Sequence, residues 1–411
     1  MKILYHHRVA SKDGQYVHIE EIVGALRELG HEVIMGEPAS INNKDFGKSS
    51  NLVKNIRTIL PGFVHELMEF IYSFFDYFKL AKLIRKHRPD CIYERYNLYF
   101  PSGIWAKKRY KLPLLLEVNA PLYAERSEHD SIQLNGLADW SERYVWNSAD
   151  YVLPVTGVLA RKVIEKGVSE DRIFVIPNGI NFDKFVADGD RLRELAKRHR
   201  KEYQLGEKLV LGFTGFVREW HRLDRVLDVI AANQDQNWHL FLVGDGPARE
   251  ELERTAQSLG ITDRMTITGI VGRDQMPGLV ATFDIALQPD VVEYASPLKL
   301  FEYLALGKAI LAPSSENICE ILTDEENALL FDVVNPVQFS EQLYRLCSSM
   351  ELRAQLGGAA FSTIENQKLY WRHNAEKIVQ LFSLQLDGTA LDTNLFSLTS
   401  DNVDGREEKS A

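Results

Sequence analysis

Ile3-Leu4-Tyr5, a polar loop from Arg8 to Gly14, apolar residues at Ile19, Ile22, Val23, Leu26 and Leu29, then Gly30 before His31-Glu32-Val33-Ile34 make up the opening of the chain. The first three apolar residues are a short strand. The next five recur at helical spacing, and a glycine after the last of them suits a helix C-cap. A second short apolar run follows at once. Strand, helix, strand in that order predicts a βαβ unit, hence a parallel sheet with right-handed crossovers.

The same rhythm continues outward. Cys91-Ile92-Tyr93, Leu114-Leu115-Leu116-Glu117-Val118 and Tyr151-Val152-Leu153-Pro154-Val155 are further strands, with helical stretches between them. Ile173-Phe174-Val175-Ile176 runs into Pro177-Asn178-Gly179, a tight-turn signal. The charged stretch 188–207 reads as a connection. A second series then begins with Val210-Leu211-Gly212-Phe213, His239 to Val243, Met265-Thr266-Ile267, Ile285-Ala286-Leu287 and Ala309-Ile310-Leu311. The expected fold class is α/β, with two Rossmann-like, doubly wound parallel-sheet domains facing a cleft.

A length of 411 residues suits two such cores better than one. The net charge of −10 argues against nucleic acid as a partner, because nucleic-acid-binding surfaces are basic. Three cysteines, widely spaced, fit a reducing compartment and no zinc site. The first residues have no signal-peptide pattern, and the apolar run from Leu67 to Phe78 is broken by Glu69 and Asp76, so no membrane span is expected. The expected location is cytoplasmic, with peripheral contact at the inner face of a membrane. That contact is assigned to residues 52–86, where Phe63, Phe70, Tyr72, Phe74, Phe75, Tyr77 and Phe78 mix with Lys79, Lys82, Arg85 and Lys86. Two core helices with a basic exposed side is the other reading of that stretch.

Four segments in the second series carry chemistry. In Ala295-Ser296-Pro297-Leu298-Lys299-Leu300-Phe301-Glu302, Pro297 suits the start of a helix and Ser296 its N-cap. A helix N-terminus offers unpaired N–H groups and partial positive charge, which suit a diphosphate. Lys299 in the first turn opposes the helix dipole, a cost that an anionic ligand offsets. Glu302, one turn on, is placed to accept ribose hydroxyls. The plain alternative is an ordinary capped helix with a solvated lysine and glutamate. Phe213-Thr-Gly215-Phe216-Val-Arg218-Glu-Trp-His221-Arg222 follows a strand; Gly215 allows close backbone approach, and Arg218, His221 and Arg222 can gather phosphate charge. Val243-Gly244-Asp-Gly246-Pro247 is a glycine turn at a strand end, and Thr268-Gly269-Ile270-Val271 is a strand end whose backbone suits a base edge. Each is weak alone. Their succession at the carboxyl ends of strands in one α/β half is the place where open parallel sheets bind ligands. Asp188-Gly189-Asp190 has the look of an acidic metal motif but reads as a solvated loop, and no metal or other cofactor is expected.

The sequence resembles the retaining glycosyltransferases of family 4, which have the GT-B fold. The resemblance runs to about residue 384 and rests on Gly14-Gln-Tyr-Val-His18, Leu29-Gly-His-Glu-Val33, Ile176-Pro-Asn-Gly-Ile180 with Phe185, Gly244-Asp-Gly-Pro247 with Leu252, the Ser-Pro-Leu-Lys-Leu-Phe-Glu stretch, Glu326-Asn327 and Tyr370-Trp371. It implies an acceptor domain over 1–187, a linker over 188–207 and a nucleotide-sugar domain over 208–365. A helix over 366–384 returns to the first domain, and 385–411 is an acidic tail expected to be disordered. It further implies sugar transfer from a nucleotide-sugar donor to a glycan, lipid-linked or small-molecule acceptor. Gly14 would approach the transferred sugar, Ser296, Pro297, Leu298 and Lys299 would hold the diphosphate, and Glu302 the ribose. Gly215, Phe216, Gly244 and Gly246 would contact the donor, and Gly269, Ile270 and Val271 would line the base pocket. Arg218 and His221 join Lys299 and Glu302 as catalytic candidates; His18, Asn119 and Glu125 are the acceptor-side candidates.

Three positions depart from the family pattern. The first glutamate of its usual pair falls at Tyr294, the phosphate-loop Arg and Lys fall at Phe216 and His221, and a central histidine falls at Asn119. Lys299, Arg218 and Arg222 are the candidates to supply the missing charge. The competing functions are a nucleotide-sugar epimerase of the same fold and a non-catalytic nucleotide-sugar-binding protein. A dehydrogenase is disfavoured because no Gly-x-Gly-x-x-Gly follows the first strand.

Overall fold

The computed structural model describes residues 1–10, 14–38, 61–129, 132–388 and 392. The chain divides into two compact units, Met1–Pro177 with Trp371 onward, and Asn178–Tyr370.

The first unit holds a five-stranded sheet in the order β2-β1-β3-β4-β5. Its strands are β1 (Lys2–His6), β2 (Glu32–Gly36), β3 (Cys91–Arg95), β4 (Leu114–Val118) and β5 (Tyr151–Pro154). All pairings are parallel, with Ile3 beside both Val33 and Cys91. Ile3, Leu4, Tyr5, Leu114, Leu115 and Leu116 are fully buried, as expected of strands covered on both faces by helices. The helix Gly14–Glu28 buries Ile19, Ile22, Val23 and Leu26 on the predicted stripe. The helix Trp371–Asp387 packs against it and buries Ala375, Ile378, Leu381 and Phe382. That C-terminal helix therefore completes the first core.

The second unit holds a six-stranded parallel sheet in the order β11-β10-β9-β6-β7-β8. Its strands are β6 (Leu209–Thr214), β7 (Trp238–Val243), β8 (Met265–Ile267), β9 (Ile285–Leu287), β10 (Ala309–Pro313) and β11 (Leu329–Phe331). Large apolar clusters pack on its two faces, one around Phe241, Phe283, Phe301 and Leu304, the other around Phe213, Leu227, Phe331 and Phe339. The strand order reverses between β6 and β9, which marks the topological switch point of the sheet.

Two expectations are corrected. The stretch 188–207 is not an open connection: Asp188 caps the helix Gly189–Glu202 by accepting the N–H of Arg191 at 2.9 Å, and that helix packs on the helix Met276–Ala281 within the second unit. Asp188-Gly189-Asp190 is thus a helix start. The helix placed at 366–384 spans Trp371–Asp387, so the expected tail begins inside it. Most of 385–411 lies outside the described residues, as do 52–60 of the stretch expected to meet a membrane. Among the described residues no helix is long and apolar enough to cross a membrane.

Candidate functional site

In the second unit the candidate residues converge on the β6–β9 switch point. The helix Leu298–Ala305 follows β9 and buries Leu300, Phe301, Tyr303, Leu304 and Ala305. Tyr303, fully buried, ties the two strand ends together: its hydroxyl accepts the N–H of Thr214 at 3.1 Å and donates to the carbonyl of Leu287 at 3.4 Å. The helix start is thereby fixed beneath the loop that leaves β6.

The cap differs from expectation. Pro297, not Ser296, holds the N-cap position, and no side chain caps the helix. The hydroxyl of Ser296 is turned to Asn178, whose backbone N–H it accepts at 3.1 Å, and the Asn178 amide donates to the Ser296 carbonyl. Asn317 supports the preceding residues through bonds to the carbonyls of Val292 and Ala295 at 3.2 and 2.7 Å. The turn signal at Pro177-Asn178-Gly179 thus has a partner in the loop before the helix.

Lys299 reaches back from the first turn to the β6 loop. Its Nζ lies 4.1 Å over the ring centroid of Phe213 and 3.4 Å from Nε2 of His221. A Cβ at Gly215, whose φ is +125°, would lie 3.4 Å from Cε of Lys299, so glycine leaves room for the ammonium stem and takes a backbone conformation other residues avoid. Burial pushes the Lys299 amine down to about 7, against the pull of Glu302. His221 is buried, and its Nδ1 accepts the N–H of Arg218 at 3.1 Å. Burial, then the neighbouring Lys299, push this imidazole down to about 2, so it is neutral. The position where the family carries a cation therefore holds a neutral ring, and the Lys299 amine reaches the same loop from the helix start.

The remaining cations behave differently. Arg222 is engaged with Asp224 at 3.1 Å, while Arg218 stacks over the ring of Phe216, which is 58% exposed. Gly244 and Gly246 have a packing reason. Their Cβ positions would fall 2.1 Å from the carbonyl oxygen of Gly215 and 2.0 Å from that of Val217, so both let the β7 turn lie flat under the β6 loop. The Gly244 N–H donates to Thr268 Oγ1 at 3.1 Å, and Gly244 bridges Gly269. Ile270 is exposed, whereas Val271 packs against the core around Phe283 and Phe301. Glu302 is half-buried one turn beyond Lys299, and Leu298 is half-buried at the helix start.

In the first unit Gly14 begins its helix, and a Cβ there would meet no atom of the described residues within 4 Å. His18 and Asn119 do not stand alone: both contact Glu117, His18 Nε2 at 2.9 Å and Asn119 through its amide. Glu117 also accepts from Arg95 at 2.5 Å and from the Tyr93 hydroxyl at 3.0 Å. Burial raises its carboxyl, but His18 and Arg95 outweigh it and hold it down to about 2. His18 packs edge-on to Trp371 at 4.9 Å. Glu125 is half-buried on the helix Leu122–His129. A second buried cluster joins His6 to Asp76 and Glu94, both at 2.8 Å. Glu117 and this cluster were missed; a lone carboxylate inside the apolar runs Leu114–Val118 and Cys91–Arg95 was the available signal. Among the described residues no group of three or more His, Cys, Asp or Glu side chains is placed to hold a metal ion.

The family profile "Glycosyltransferase Family 4" matches residues 12–184, and the profile "Glycosyl transferases group 1" matches residues 196–363. A 2-deoxystreptamine glucosyltransferase of Streptomyces kanamyceticus is 27% identical over 51% of this chain and 54% of its own length. An uncharacterized glycosyltransferase of Methanocaldococcus jannaschii is 22% identical over 90% of this chain and 94% of its own. Among solved structures, HepE of Anabaena in complex with UDP-glucose matches with a TM-score of 0.70 at 17% identity, over 93% of this chain and 99% of that one. The two profiles together span most of the chain, which belongs to glycosyltransferase family 4 and has the GT-B fold.

Proposed function

We propose that the chain transfers a sugar from a nucleotide-diphosphate sugar to a glycan, lipid-linked or small-molecule acceptor, with retention of anomeric configuration. The observation that carries this reading is the reach of Lys299, from the N-terminus of the Leu298–Ala305 helix, to Gly215 and His221 at the switch point. Breaking a glycosyl–phosphate bond leaves negative charge on the diphosphate, and positioned N–H groups and a desolvated cation are the means of stabilising it. In this reading the start of the helix at Ser296, Pro297 and Leu298 presents its N–H groups to the diphosphate, and Lys299 supplies the charge, assisted by Arg218. Glu302 accepts the ribose hydroxyls, while Gly269 and Ile270 border the base. Gly14 borders the sugar; His18, Asn119 and Glu125 belong to the acceptor side. No metal is needed for such electrostatic work.

The complexes of HepE with UDP and UDP-glucose support testing uridine nucleotides first. The acceptor side includes weak peripheral contact with a membrane through residues 52–86. Thermal-shift measurement against nucleoside diphosphates and nucleotide sugars tests the donor site. A nucleoside diphosphate is expected to raise the melting temperature, and Lys299→Ala with Glu302→Ala is expected to abolish that shift. Full nucleotide affinity in the double variant would sink the assignment. Tyr294, Phe216 and Asn119, where the family carries charged or titratable groups, favour keeping one second reading, a nucleotide-sugar-binding protein without turnover. Release of free nucleoside diphosphate from the donor separates the two.

A further inference from the structure

The chain leaves β1 through His7 and Arg8, and neither side chain has a hydrogen-bond or ion-pair partner among the described residues. His7 is 2% exposed; burial first, then the neighbouring His6, push its imidazole down to about 3, so the ring is neutral. Arg8 is half-buried, with its Cζ 4.8 Å from the ring centroid of Phe100 and 5.2 Å from that of Tyr72. Those two rings lie within 16° of parallel, and Phe100 rests in turn on the imidazole of His6 at 5.6 Å. Aromatic faces thus hold the guanidinium in place and satisfy none of its N–H donors.

The other cations near this strand end are paired. Arg95 meets Glu117 at 2.5 Å, Arg126 meets Glu69 at 2.9 Å, and Lys79 donates to the carbonyl of Glu37. The carboxylates whose charge reaches Arg8 are taken as well, Glu69 by Arg126 and Asp76 by His6 at 2.8 Å. Burial lowers the basicity of Arg8 ahead of the pull of Glu69, yet a guanidinium stays cationic. A cation drawn this far out of water ordinarily has its counter-charge beside it, and unmet polar groups at such depth call for a reason. Their place supplies one. The order of the first sheet reverses between β1 and β3, and open parallel sheets bind ligands beyond the carboxyl ends of the strands at such a point.

We propose that Arg8 binds an anionic group of the acceptor, a phosphate or a carboxylate, whose paired oxygens match the fork of the guanidinium. Phe100 and Tyr72 fix that fork before the ligand arrives, so little side-chain freedom is lost on binding. The neutral imidazole of His7, with one donor and one acceptor to offer, adds a place for a hydroxyl at the same strand end. A neutral sugar leaves the guanidinium unpaired and gains nothing from it, so the site selects acceptors by charge. Calling the ligand the acceptor rests on the proposed transferase reading; the anion site itself rests on Arg8.

Calorimetric titration of the full chain with glucose, glucose 6-phosphate and glucuronate tests the proposal, with saturating UDP present to keep the phosphate probe off the proposed donor site. At least one of the two anions should bind about tenfold more tightly than glucose, and which one does so tells phosphate from carboxylate. Arg8→Met should erase that preference while UDP still raises the melting temperature, and Arg8→Lys should keep part of it. Equal affinity for all three probes, no binding of either anion, or a preference that survives in Arg8→Met would overturn the site. If Arg8→Met does not fold, phenylglyoxal labelling of the parent chain decides. The bound anion should protect Arg8, read by peptide mass, and equal labelling with and without it would overturn the site likewise. A parent chain that takes the anion yet shows no shift with UDP would instead strike the donor-site reading and leave the Arg8 site intact.

Discussion

Nε2 of His221 lies 3.4 Å from Nζ of Lys299, while the other ring nitrogen already accepts the N–H of Arg218 at 3.1 Å. A neutral imidazole with its Nδ1 lone pair in use carries its proton on Nε2. That N–H faces the lysine as a donor. A neutral amine can accept it and an ammonium cannot, so the contact favours the uncharged lysine in the ligand-free protein. Burial acts in the same direction and brings the amine to about 7. A bound diphosphate would reverse the preference.

Nucleotide binding should therefore take up a proton. Below pH 7 the amine is already charged and binding needs no proton; above it, affinity for a nucleoside diphosphate should fall by up to about tenfold per pH unit. Calorimetry between pH 7 and 9 in buffers of different ionisation enthalpy measures the uptake. Lys299→Met should weaken binding and flatten the profile. In the ligand-free chain the sign is opposite. The unfolded lysine binds its proton up to a higher pH than the folded one, so stability should rise with pH above 7, and less so in Lys299→Met. A pH-independent affinity with no proton uptake would refute the neutral lysine.

The clamp between Asn178 and Ser296 gives a stability prediction. Asn178→Ala removes the amide that serves the Ser296 carbonyl in a buried place. It should cost about 1–3 kcal/mol in urea unfolding and, if the proposed donor site is right, weaken nucleotide binding, since the start of the Leu298–Ala305 helix loses its tether. Unchanged nucleotide affinity in a destabilised variant would separate the clamp from the site.

His6 is buried between two carboxylates, at 2.8 Å from each. Burial alone would lower its pKa, but Asp76 and Glu94 outweigh it and raise the imidazole to about 10. A raised base contributes stability that is complete below its unfolded value and is lost as pH climbs through the folded one. The first unit should accordingly weaken between pH 7 and 10. His6→Ala strands two buried acids and should cost about 3–5 kcal/mol, read by urea denaturation at neutral pH. His6→Ala with Glu94→Gln should recover part of that loss.

Gly103→Ala probes the same cluster from the other side. Its Cβ would fall 1.5 Å from Oε2 of Glu94, inside a packed core. The loss should reach about 1–3 kcal/mol or more, and circular dichroism melts would show it. An unchanged melting temperature would mean that Glu94 can move.

The architecture was legible because its signals are local. The Ile19 to Leu29 stripe and the short apolar strands are read within a few residues, and both sheets follow from their succession. The helix Gly189–Glu202 hid because its inward side is small and partly charged: Leu192, Leu195, Ala196 and His199 turn inward together with Arg200, which donates to the Thr282 carbonyl at 2.8 Å. β11 is three residues long and gives no period to count. In the site, Lys299 stood out by its unfavourable place in a helix start. Its contacts with His221 and the Gly215 loop lie nearly eighty positions away, where no spacing rule operates. Ser296 was misread as a cap because the preference for serine is statistical, and Asn178 took its hydroxyl.

The first unit closes on the helix that begins at Trp371. During synthesis the ribosome must therefore finish the whole of the other unit before the opening strand and its helix can gain their final cover. Asn178–Tyr370 can mature as soon as it emerges, while 1–177 waits half-dressed, with the helix Gly14–Glu28 lacking the partner that packs on it and exposed to holdase chaperones. A nonsense codon near 370 would spare the second unit and leave the first permanently unfinished.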